Sequence, residues 1–415
     1  MNKRFLYWED ENKQLVDISD NHAAGQFLQH DKDSKVLNNL PATWLEIDLS
    51  QLKSNYEFIK QKAGNEIGVI GVLKSDAYGH GIVPVAQTLQ NHGIEKIGVG
   101  SIEELLVLRR NGIHLPVLML YPILSYQLRT AIDLEAELTV VNQQSLEEID
   151  FLAKKANKQV KIHLQIETGL NRFGIKDNGV VHLAKLAGSL GNISIEGIST
   201  HFADPESNEF TQRQFDKFLS ILKTLSENNI SIPTIHTSNS GAIMLFPKSY
   251  DINSYNTVMP NSKLFVRPGG LLYGTYAHKN KYQTPFILSS MFSHIVDTAQ
   301  VEEGENVGYF QQFTANKTML IATVPVGWGN NGYLPANTTM QTNNKLLKGV
   351  GLISSNNLAL DCNDISCKVG DRVWIINSNH EQLSIENLAK ESGMFVNRLL
   401  SILGSNNRRV YFEHT

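Results

Sequence analysis

Residues 69–81 read VIGVLKSDAYGHG, an apolar run that ends at a lysine and continues into small, polar and glycine residues. The uncharged, branched run over residues 67–73 predicts a strand that is buried on both faces, with Lys74 at its C-terminal end. Residues 75–81 predict a loop, and residues 83–91 (VPVAQTLQN) have apolar side chains at helical spacing. The stretch therefore predicts one strand–loop–helix unit with a lysine at its mouth.

The same alternation of strand and helix continues along the chain and predicts a (β/α)₈ barrel of the α/β class. A doubly wound open sheet is the weaker alternative. The predicted strands cover residues 67–73, 97–100, 116–121, 137–142, 160–167, 194–202, 234–237 and 263–266.

Beyond residue 285 the pattern changes to strands and turns, with a helix predicted near 385–391, which indicates a mostly β C-terminal domain. The strand predicted over residues 43–48 is expected to pair with that domain. We predict an N-terminal arm over 1–40, with a short helix at 25–29, a barrel over 41–284 and the β-rich domain over 285–415.

Composition narrows the classes of function. The 415 residues include 37 basic and 41 acidic side chains, which gives no electrostatic footprint for nucleic acid or an anionic membrane. Cys362 and Cys367 have neither redox nor zinc spacing, so no metal site is predicted. No apolar run approaches the roughly 18 residues of a membrane span. We expect small-molecule partners or copies of the same chain, and a reducing cytoplasm.

Reactive side chains collect where the predicted barrel strands end, which is where barrel enzymes carry their chemistry. They are Lys74 and Tyr78 after the first strand, Arg172 after the fifth, His201 after the sixth, Asn239 and Ser240 after the seventh, and Arg267 after the eighth. Taken singly, each has an ordinary structural explanation: a lysine at a strand end, a helix cap, a core histidine, a surface arginine. Their joint position favours a site.

The last two loops indicate a phosphate cradle. Ser240 opens a predicted helix, and the backbone of Gly269 and Gly270 can point N–H groups at an anion. A lysine in a partly dry pocket can form a Schiff base. Together these features describe a site for pyridoxal 5′-phosphate. A class I aldolase would also use a lysine and a phosphate site, but it would need no separate β domain.

These residues resemble the alanine racemase family over roughly residues 41–412. The motifs are PATWLEIDLSQLKSN, VLKSDAYGHG, ETGLNRFG, STHFAD, HTSNS and VRPGGLLYG, in the family's order and spacing. The resemblance implies a fold type III pyridoxal-phosphate enzyme, an isomerase that interconverts L- and D-amino acids as a homodimer with shared sites.

The resemblance also implies roles for individual residues. Lys74 would bind the cofactor and act as one base, and Arg267 would face the pyridine nitrogen. His201 would lie against the ring, and Arg172 would lie near the phenolic oxygen or the substrate. The phosphate would be held by Tyr78, Ser240, Gly269 and Gly270, with Asn239 beside them.

The sequence departs from the family where the second base should stand. In VPVGWGNNGY the catalytic tyrosine position holds Trp328, and an indole N–H does not exchange a proton near neutral pH. Ser355 aligns with a family residue near the partner's site, and Gln165 replaces a lysine beside Arg172. We expect Arg172, Trp328 and Ser355 to line the substrate site.

Three functions remain open from the sequence. The first is a racemase of alanine or another small amino acid, with proton delivery by Tyr333 or by Lys74 on both faces. The second is a one-base enzyme, such as a decarboxylase or a retro-aldol or elimination enzyme. The third is a cofactor-binding homologue without turnover. We predict the first, with an atypical second base.

Overall fold

The structure, a computed structural model, describes residues 3–9, 14–17, 41–279, 281–363 and 365–414. The chain forms two compact units. One comprises residues 53–77 and 82–285, and the other comprises residues 1–52, 78–81 and 286–415. The first holds the barrel, and the second is mostly β.

The first unit contains a closed eight-stranded parallel barrel. Its strands are Gly68–Val72, Lys96–Val99, Val117–Met119, Leu138–Val140, Val160–Gln165, Ile193–Ser199, Thr234–Asn239 and Lys263–Arg267. Glu137 closes the ring between the third and fourth strands, since its N–H donates to Val117 and its carbonyl accepts from Met119, both at 2.9 Å. All five residues of Gly68–Val72 are buried. The predicted barrel is confirmed.

Helices alternate with these strands, as the periodicity predicts. Asn142 caps Gln143–Ala156 by accepting the N–H of Ser145 at 2.8 Å. Apolar spacing predicts a helix over residues 213–227, and the observed helix begins five residues earlier, at Asn208. The helices in and leading into this unit are Leu49–Ala63, Ile82–Asn91, Ile102–Arg110, Ser125–Asp133, Gln143–Ala156, Asp177–Ser189, Asn208–Glu227, Ser240–Leu245 and Gly270–Tyr273, with 3₁₀ turns at Pro247–Tyr250 and Ile252–Ser254 and a short hairpin of Ala277–His278 with Lys281–Tyr282.

The loop predicted over residues 75–81 is wrong in its first part. Lys74–Gly79 forms a helical turn, and four consecutive non-glycine residues in it, Ser75 to Tyr78, have φ between 53° and 57°. This turn is left-handed, a conformation that costs an L-residue about 1–2 kcal/mol. Local sequence preferences do not predict a turn in which Ser75 to Tyr78 all adopt a left-handed backbone conformation.

The second unit is built on one long sheet. In spatial order its strands are Asp297–Val301, Met319–Val324, Leu358–Asp361, Lys345–Val350, Thr339–Thr342, Arg372–Asn377, Leu288–His294, Trp44–Asp48, Arg408–His414, Lys3–Glu9 and Leu15–Asp17. The predicted pairing of the strand near residues 43–48 with the C-terminal domain is confirmed, because Trp44–Asp48 lies between Leu288–His294 and Arg408–His414.

Smaller elements complete this unit. They are the pair Asn306–Val307 and Phe313–Thr314, the 3₁₀ turns Tyr309–Gln311 and Glu381–Leu383, and the helices Ile385–Glu391 and Val396–Asn406. The first of these helices was predicted and the second was not.

The described part of the predicted N-terminal arm contains two strands. Lys3–Glu9 and Leu15–Asp17 extend the sheet, and Lys3–Glu9 pairs antiparallel with Arg408–His414. Residues 3–9 have no clear period of two, so their strand is specified by the partner rather than by their own pattern. The helix predicted at 25–29 lies outside the described residues. Within the described ranges, no helix is long and apolar enough to cross a membrane.

Candidate active site

Lys74 follows the first barrel strand, and its amine contacts a tyrosine from a neighbouring strand end. Lys74 Nζ donates to Tyr121 Oη at 2.7 Å and lies 5.4 Å from the centre of that ring. The two side chains meet across Gly100. A Cβ on Gly100 would lie 3.2 Å from the Cβ of Lys74 and 3.4 Å from Tyr121. The glycine therefore permits the lysine and the phenol to share one place at the barrel mouth.

A carboxylate fixes the left-handed turn that begins at Lys74. Glu104 accepts the N–H of Asp76 at 3.0 Å on one oxygen and the N–H of Gly100 at 2.7 Å on the other. Asp76 in turn accepts the N–H of Ile82 at 2.7 Å, where the next helix starts. These bonds satisfy backbone donors that the unusual turn exposes, and they link the strained segment to two rigid elements.

Three more of the predicted site residues lie in the same electrostatic environment. Burial and, in decreasing order, the positive charges of Arg267, Arg172 and Lys74 together lower the pKa of His201 to about 3. Arg172 lies over the Tyr121 ring, with Cζ 5.6 Å from the ring centre. The structure thus brings Lys74, Arg172, His201 and Arg267 together at the strand ends, and His201 is a neutral imidazole near pH 7.

Arg267 ends a continuous chain of hydrogen bonds through the barrel interior. Its Nη1 lies 2.6 Å from Nδ1 of His236, and Nε2 of His236 lies 2.8 Å from Nδ1 of His163. Nε2 of His163 lies 2.8 Å from Glu137, which also accepts from Lys96 at 2.5 Å. A guanidinium only donates, so every tautomer in the chain is determined: both histidines carry their proton on Nε2.

The pKa shifts along this hydrogen-bonded network indicate that both histidines are neutral and lie between charged side chains. Burial lowers the pKa of His163 and His236, and the charge of Arg267 acts on His236 in the same direction. Burial alone would raise the pKa of Glu137, but the bond from His163 and the charge of Lys96 bring it to about 2. Arg267 is therefore held in one orientation by a network that does not change charge near neutral pH.

The loops of the predicted phosphate cradle converge between the last two strand ends. Ser240 Oγ accepts the N–H groups of Gly269 at 3.1 Å and Leu271 at 3.2 Å. Asn239, and not Ser240, caps the short helix, since it accepts the N–H of Ala242 at 3.0 Å. Two loops thus converge with backbone donors and a hydroxyl, as an anion site requires.

A tyrosine beside this cradle has a buried hydroxyl without a partner. Among the described residues, the Oη of Tyr276 and the Oγ1 of Thr275 make no hydrogen bond. A Cβ on Gly241 would lie 3.4 Å from Tyr276 Oη, and one on Gly270 would lie 3.1 Å from the Tyr276 backbone nitrogen. Burial raises the pKa of Tyr276 to about 12. An orphaned donor at this place fits a bound phosphate.

Tyr78 belongs to the second unit and is partly buried. The residue after it, Gly79, packs against the helix Val396–Asn406, where a Cβ on Gly404 would lie 2.0 Å from the Gly79 carbonyl oxygen. That carbonyl also accepts from Arg409 at 3.0 Å. The end of the left-handed turn is therefore clamped by backbone and by a buried guanidinium.

Trp328 and Ser355 lie side by side in the second unit. The N–H of Trp328 donates to Ser354 at 3.2 Å, and that of Gly329 donates to Ser355 at 2.8 Å. A Cβ on Gly327 would lie 2.3 Å from the Ser355 carbonyl oxygen, so the two loops require glycine there. The Trp328 side chain is 60% exposed and that of Tyr333 is 48% exposed.

Gln165, which replaces a family lysine beside Arg172, is committed to other contacts. It accepts from Ser199 at 2.8 Å and donates to the Ile166 carbonyl at 3.3 Å.

Sequence reasoning missed Tyr121, Tyr276 and Glu104. Tyr121 ends the predicted strand 116–121, and its hydroxyl at a strand end is the feature that could have identified it as a site residue. Tyr276 lies two residues beyond the glycine-rich motif, where nothing in the sequence shows that its hydroxyl is buried. Glu104 sits in an ordinary amphipathic helix, and only the fold shows its contacts.

The chain matches two family models, "Alanine racemase, N-terminal domain" over residues 47–277 and "Alanine racemase, C-terminal domain" over residues 288–411. It is 32% identical over 362 residues to alanine racemase of Halothermothrix orenii, covering 84% of this chain and 91% of that protein. It is 32% identical over 386 residues to alanine racemase of Methanococcus maripaludis, covering 89% and 98%. Among solved structures, alanine racemase of Clostridium difficile 630 superposes with a TM-score of 0.81 at 30% identity, covering 90% of this chain and 96% of that one.

The residues present fit the cofactor of this family, pyridoxal 5′-phosphate. A lysine stands at one strand end, a fixed arginine stands at another, and the loops between them offer donors, including the orphaned Tyr276 hydroxyl. Two family models, relatives aligned over nearly the whole chain and the observed fold all agree on one family. The chain belongs to the alanine racemase family and is a pyridoxal-phosphate-dependent isomerase of the racemase type.

Proposed function

We propose that the chain transfers the α-proton of alanine or another small amino acid, with Lys74 as the base on one face and an atypical arrangement on the other. The observation that carries this proposal is the shared environment of Lys74, His201, Arg172 and Arg267 at one end of the barrel. The names of the relatives support alanine as the first substrate to test.

Each of these residues has a task in the proposal. When bound, pyridoxal phosphate withdraws electrons from the substrate's α-carbon and so acidifies its proton. Lys74 Nζ would hold the cofactor covalently, and the Ser240, Gly269 and Gly270 loops would bind its phosphate, with Asn239 fixing the helix and Tyr78 adding a hydroxyl. Neutral His201 would pack against the ring without competing for protons.

Arg267 would set the type of reaction. Among the described residues its hydrogen bonds use the terminal nitrogens Nη1 and Nη2, so Nε–H is the edge available to the pyridine nitrogen. A guanidinium keeps its proton, and the ring beside it is a weaker electron sink than a protonated pyridinium. Proton exchange at the α-carbon is therefore favoured over transamination.

Trp328 would restrict proton transfer to one face of the substrate. Its indole can position a substrate by contact, but it cannot remove a proton from the second face near neutral pH. Arg172, Trp328 and Ser355 would line the substrate site. Tyr333, which is 48% exposed, is the nearest phenol in sequence that could replace the missing base.

We also propose a homodimer with shared sites in a reducing cytoplasm. The second unit exposes a set of large aromatic side chains that a partner would cover: Tyr309, Phe310, Trp328 and Tyr333. Both cysteines are free thiols. Sedimentation at working concentration should give twice the chain mass, and a monomer would contradict the shared site.

Replacing Lys74 by alanine tests the proposal. The purified protein should be yellow and keep its visible absorption through dialysis, and borohydride reduction should attach the cofactor mass to the peptide that contains Lys74. Lys74→Ala should remove both signals. Lys161→Ala, an exposed lysine on another barrel strand, is the matched control. Retained covalent cofactor in Lys74→Ala would refute the assignment.

The presence of Trp328 favours a second candidate function, that of an enzyme that needs only one base. Such an enzyme would release carbon dioxide by decarboxylation, ammonia by elimination or an aldehyde by retro-aldol cleavage. A screen of amino acids for these three products separates this candidate from proton exchange, since exchange at the α-carbon releases none of them.

A further inference from the structure

The contact between Lys74 and Tyr121 is a built feature of the barrel mouth. Lys74 Nζ donates to Tyr121 Oη at 2.7 Å, and Gly100 leaves room for both side chains. The Tyr121 ring is held from its other sides. Phe173 meets it edge-on at 5.8 Å between ring centres, and the Arg172 guanidinium carbon lies 5.6 Å from its centre.

The ring is thus fixed by packing, and its hydroxyl is aimed at the lysine. No role follows for Tyr121 from the family models or from the names of the relatives, which identify the family and not this residue.

We propose that Tyr121 is a positioning residue for Lys74: its hydroxyl anchors the free amine at the strand end and favours the protonated form. This inference rests on the proposed function of Lys74 as the cofactor-binding lysine. In the working enzyme, the released Lys74 amine would be kept charged and in place, ready to return a proton to the substrate's α-carbon.

The sign of the effect follows from the direction of the hydrogen bond. The amine donates and the phenol oxygen accepts, and a bond of this kind is stronger when the donor carries a charge. Arg172 and Arg267 act with Lys74 on the pKa of His201, so these two guanidiniums share its environment and disfavour an ammonium there. The carboxylate of Glu104 is bonded to the N–H groups of Asp76 and Gly100. Neutral His201 adds no charge. Removing the Tyr121 oxygen therefore leaves the ammonium with less support, and the pKa of the Lys74 amine should fall.

The test compares wild type, Tyr121→Phe and Tyr126→Phe as full chains freed of cofactor with hydroxylamine and dialysed. The rate of uptake of pyridoxal 5′-phosphate is followed by absorbance between pH 6 and 10. Uptake requires the neutral amine, so the midpoint of the pH–rate curve reports the Lys74 pKa. Ionisation of the added cofactor is common to all three proteins. Tyr126 is 78% exposed and controls for the loss of a phenol.

We expect the midpoint of Tyr121→Phe to lie about one pH unit lower than that of wild type, the difference between a charge-assisted and a neutral hydrogen bond. Tyr126→Phe should superimpose on wild type. An unchanged midpoint, or a shift to higher pH, would overturn the inference. The substitution keeps the ring that packs on Arg172 and Phe173, so a purely structural role would change the plateau rate and leave the midpoint in place.

The two proposals can fail separately. If Lys74→Ala abolishes uptake while Tyr121→Phe keeps the wild-type midpoint, only the role of Tyr121 is wrong. If Lys74→Ala takes up cofactor covalently as wild type does, the assignment of Lys74 is itself wrong.

Discussion

The carboxylate of Glu9 and the guanidinium of Arg409 form a buried ion pair between the first described strand and the last. Arg409 donates from Nε at 2.9 Å and from its backbone N–H at 3.0 Å, and its Nη2 lies 2.7 Å from the same carboxylate. Both side chains are 4% exposed. The same guanidinium donates to the Gly79 carbonyl at 3.0 Å, so a residue of the N-terminal extension supports the end of the turn that begins at Lys74.

Glu9→Gln should destabilise the second unit by about 3 kcal/mol, because it replaces a buried carboxylate that accepts from the Arg409 guanidinium and backbone with a neutral amide. Urea unfolding followed by tryptophan fluorescence measures the change. The control is Glu303→Gln, a substitution at an exposed glutamate. Equal unfolding midpoints for the two variants would show that the ion pair contributes nothing.

The buried histidines predict an acid-sensitive fold. The pKa of His201 is about 3, and those of His163 and His236 also lie below 6.5, so the unfolded chain binds more protons than the folded one as the pH falls from 6.5. Each such group should reduce the free energy of unfolding by about 1.4 kcal/mol per pH unit in that window. Urea midpoints measured from pH 7.5 to 4.5 should be flat above pH 7 and fall steeply below 6.5.

The control is His182→Gln, a substitution at an exposed histidine, which should reproduce the wild-type curve. A urea midpoint that stays constant between pH 6.5 and 5 would contradict neutral, buried histidines.

Tyr276→Phe should weaken cofactor binding by about tenfold, the value of one hydrogen bond to a charged group. Titration of the cofactor-free protein with pyridoxal 5′-phosphate and with pyridoxal separates the phosphate contact from the rest of the site. The loss should appear with the phosphate ester and vanish with pyridoxal. A similar loss with both ligands would mean that the Tyr276 hydroxyl supports the loop and does not bind the phosphate. Tyr126→Phe again serves as the control.

The positions of the barrel strand ends can be predicted from the sequence. The buried apolar runs locate the eight barrel strands, and therefore also Lys74, His201 and Arg267, because polar side chains where such runs end lie at the barrel mouth. The Ser240 and Gly269 loops were predicted for the same reason.

What escaped prediction depends on contacts distant in sequence. The left-handed turn after Lys74 opposes the preference of each residue in it and persists because Glu104 and Arg409 hold its two ends. The strand Lys3–Glu9 has no period of its own and is defined by its pairing with Arg408–His414. In the sequence, Tyr121 is the end of an apolar run, and only the closed barrel shows that its hydroxyl accepts a hydrogen bond from Lys74.

We propose that Lys74 moves a proton on one face of the substrate while Trp328 moves none on the other. Incubating L-alanine and D-alanine separately in deuterium oxide measures exchange at the α-carbon and inversion in the same samples. Wild type should exchange one enantiomer faster than the other by about 10² or more, with slow inversion of either, since a general acid or base is commonly worth 10²- to 10⁴-fold.

Two substitutions at Trp328 make this measurement decisive. Trp328→Tyr, which restores a phenol, should raise inversion, and Trp328→Phe, which restores only an aromatic ring, should not. If wild type inverts L- and D-alanine as fast as it exchanges their α-protons, a proton reaches the second face and proton transfer on one face alone is contradicted. Tyr333 is then the first residue to replace, and inversion that survives its loss would assign both faces to Lys74.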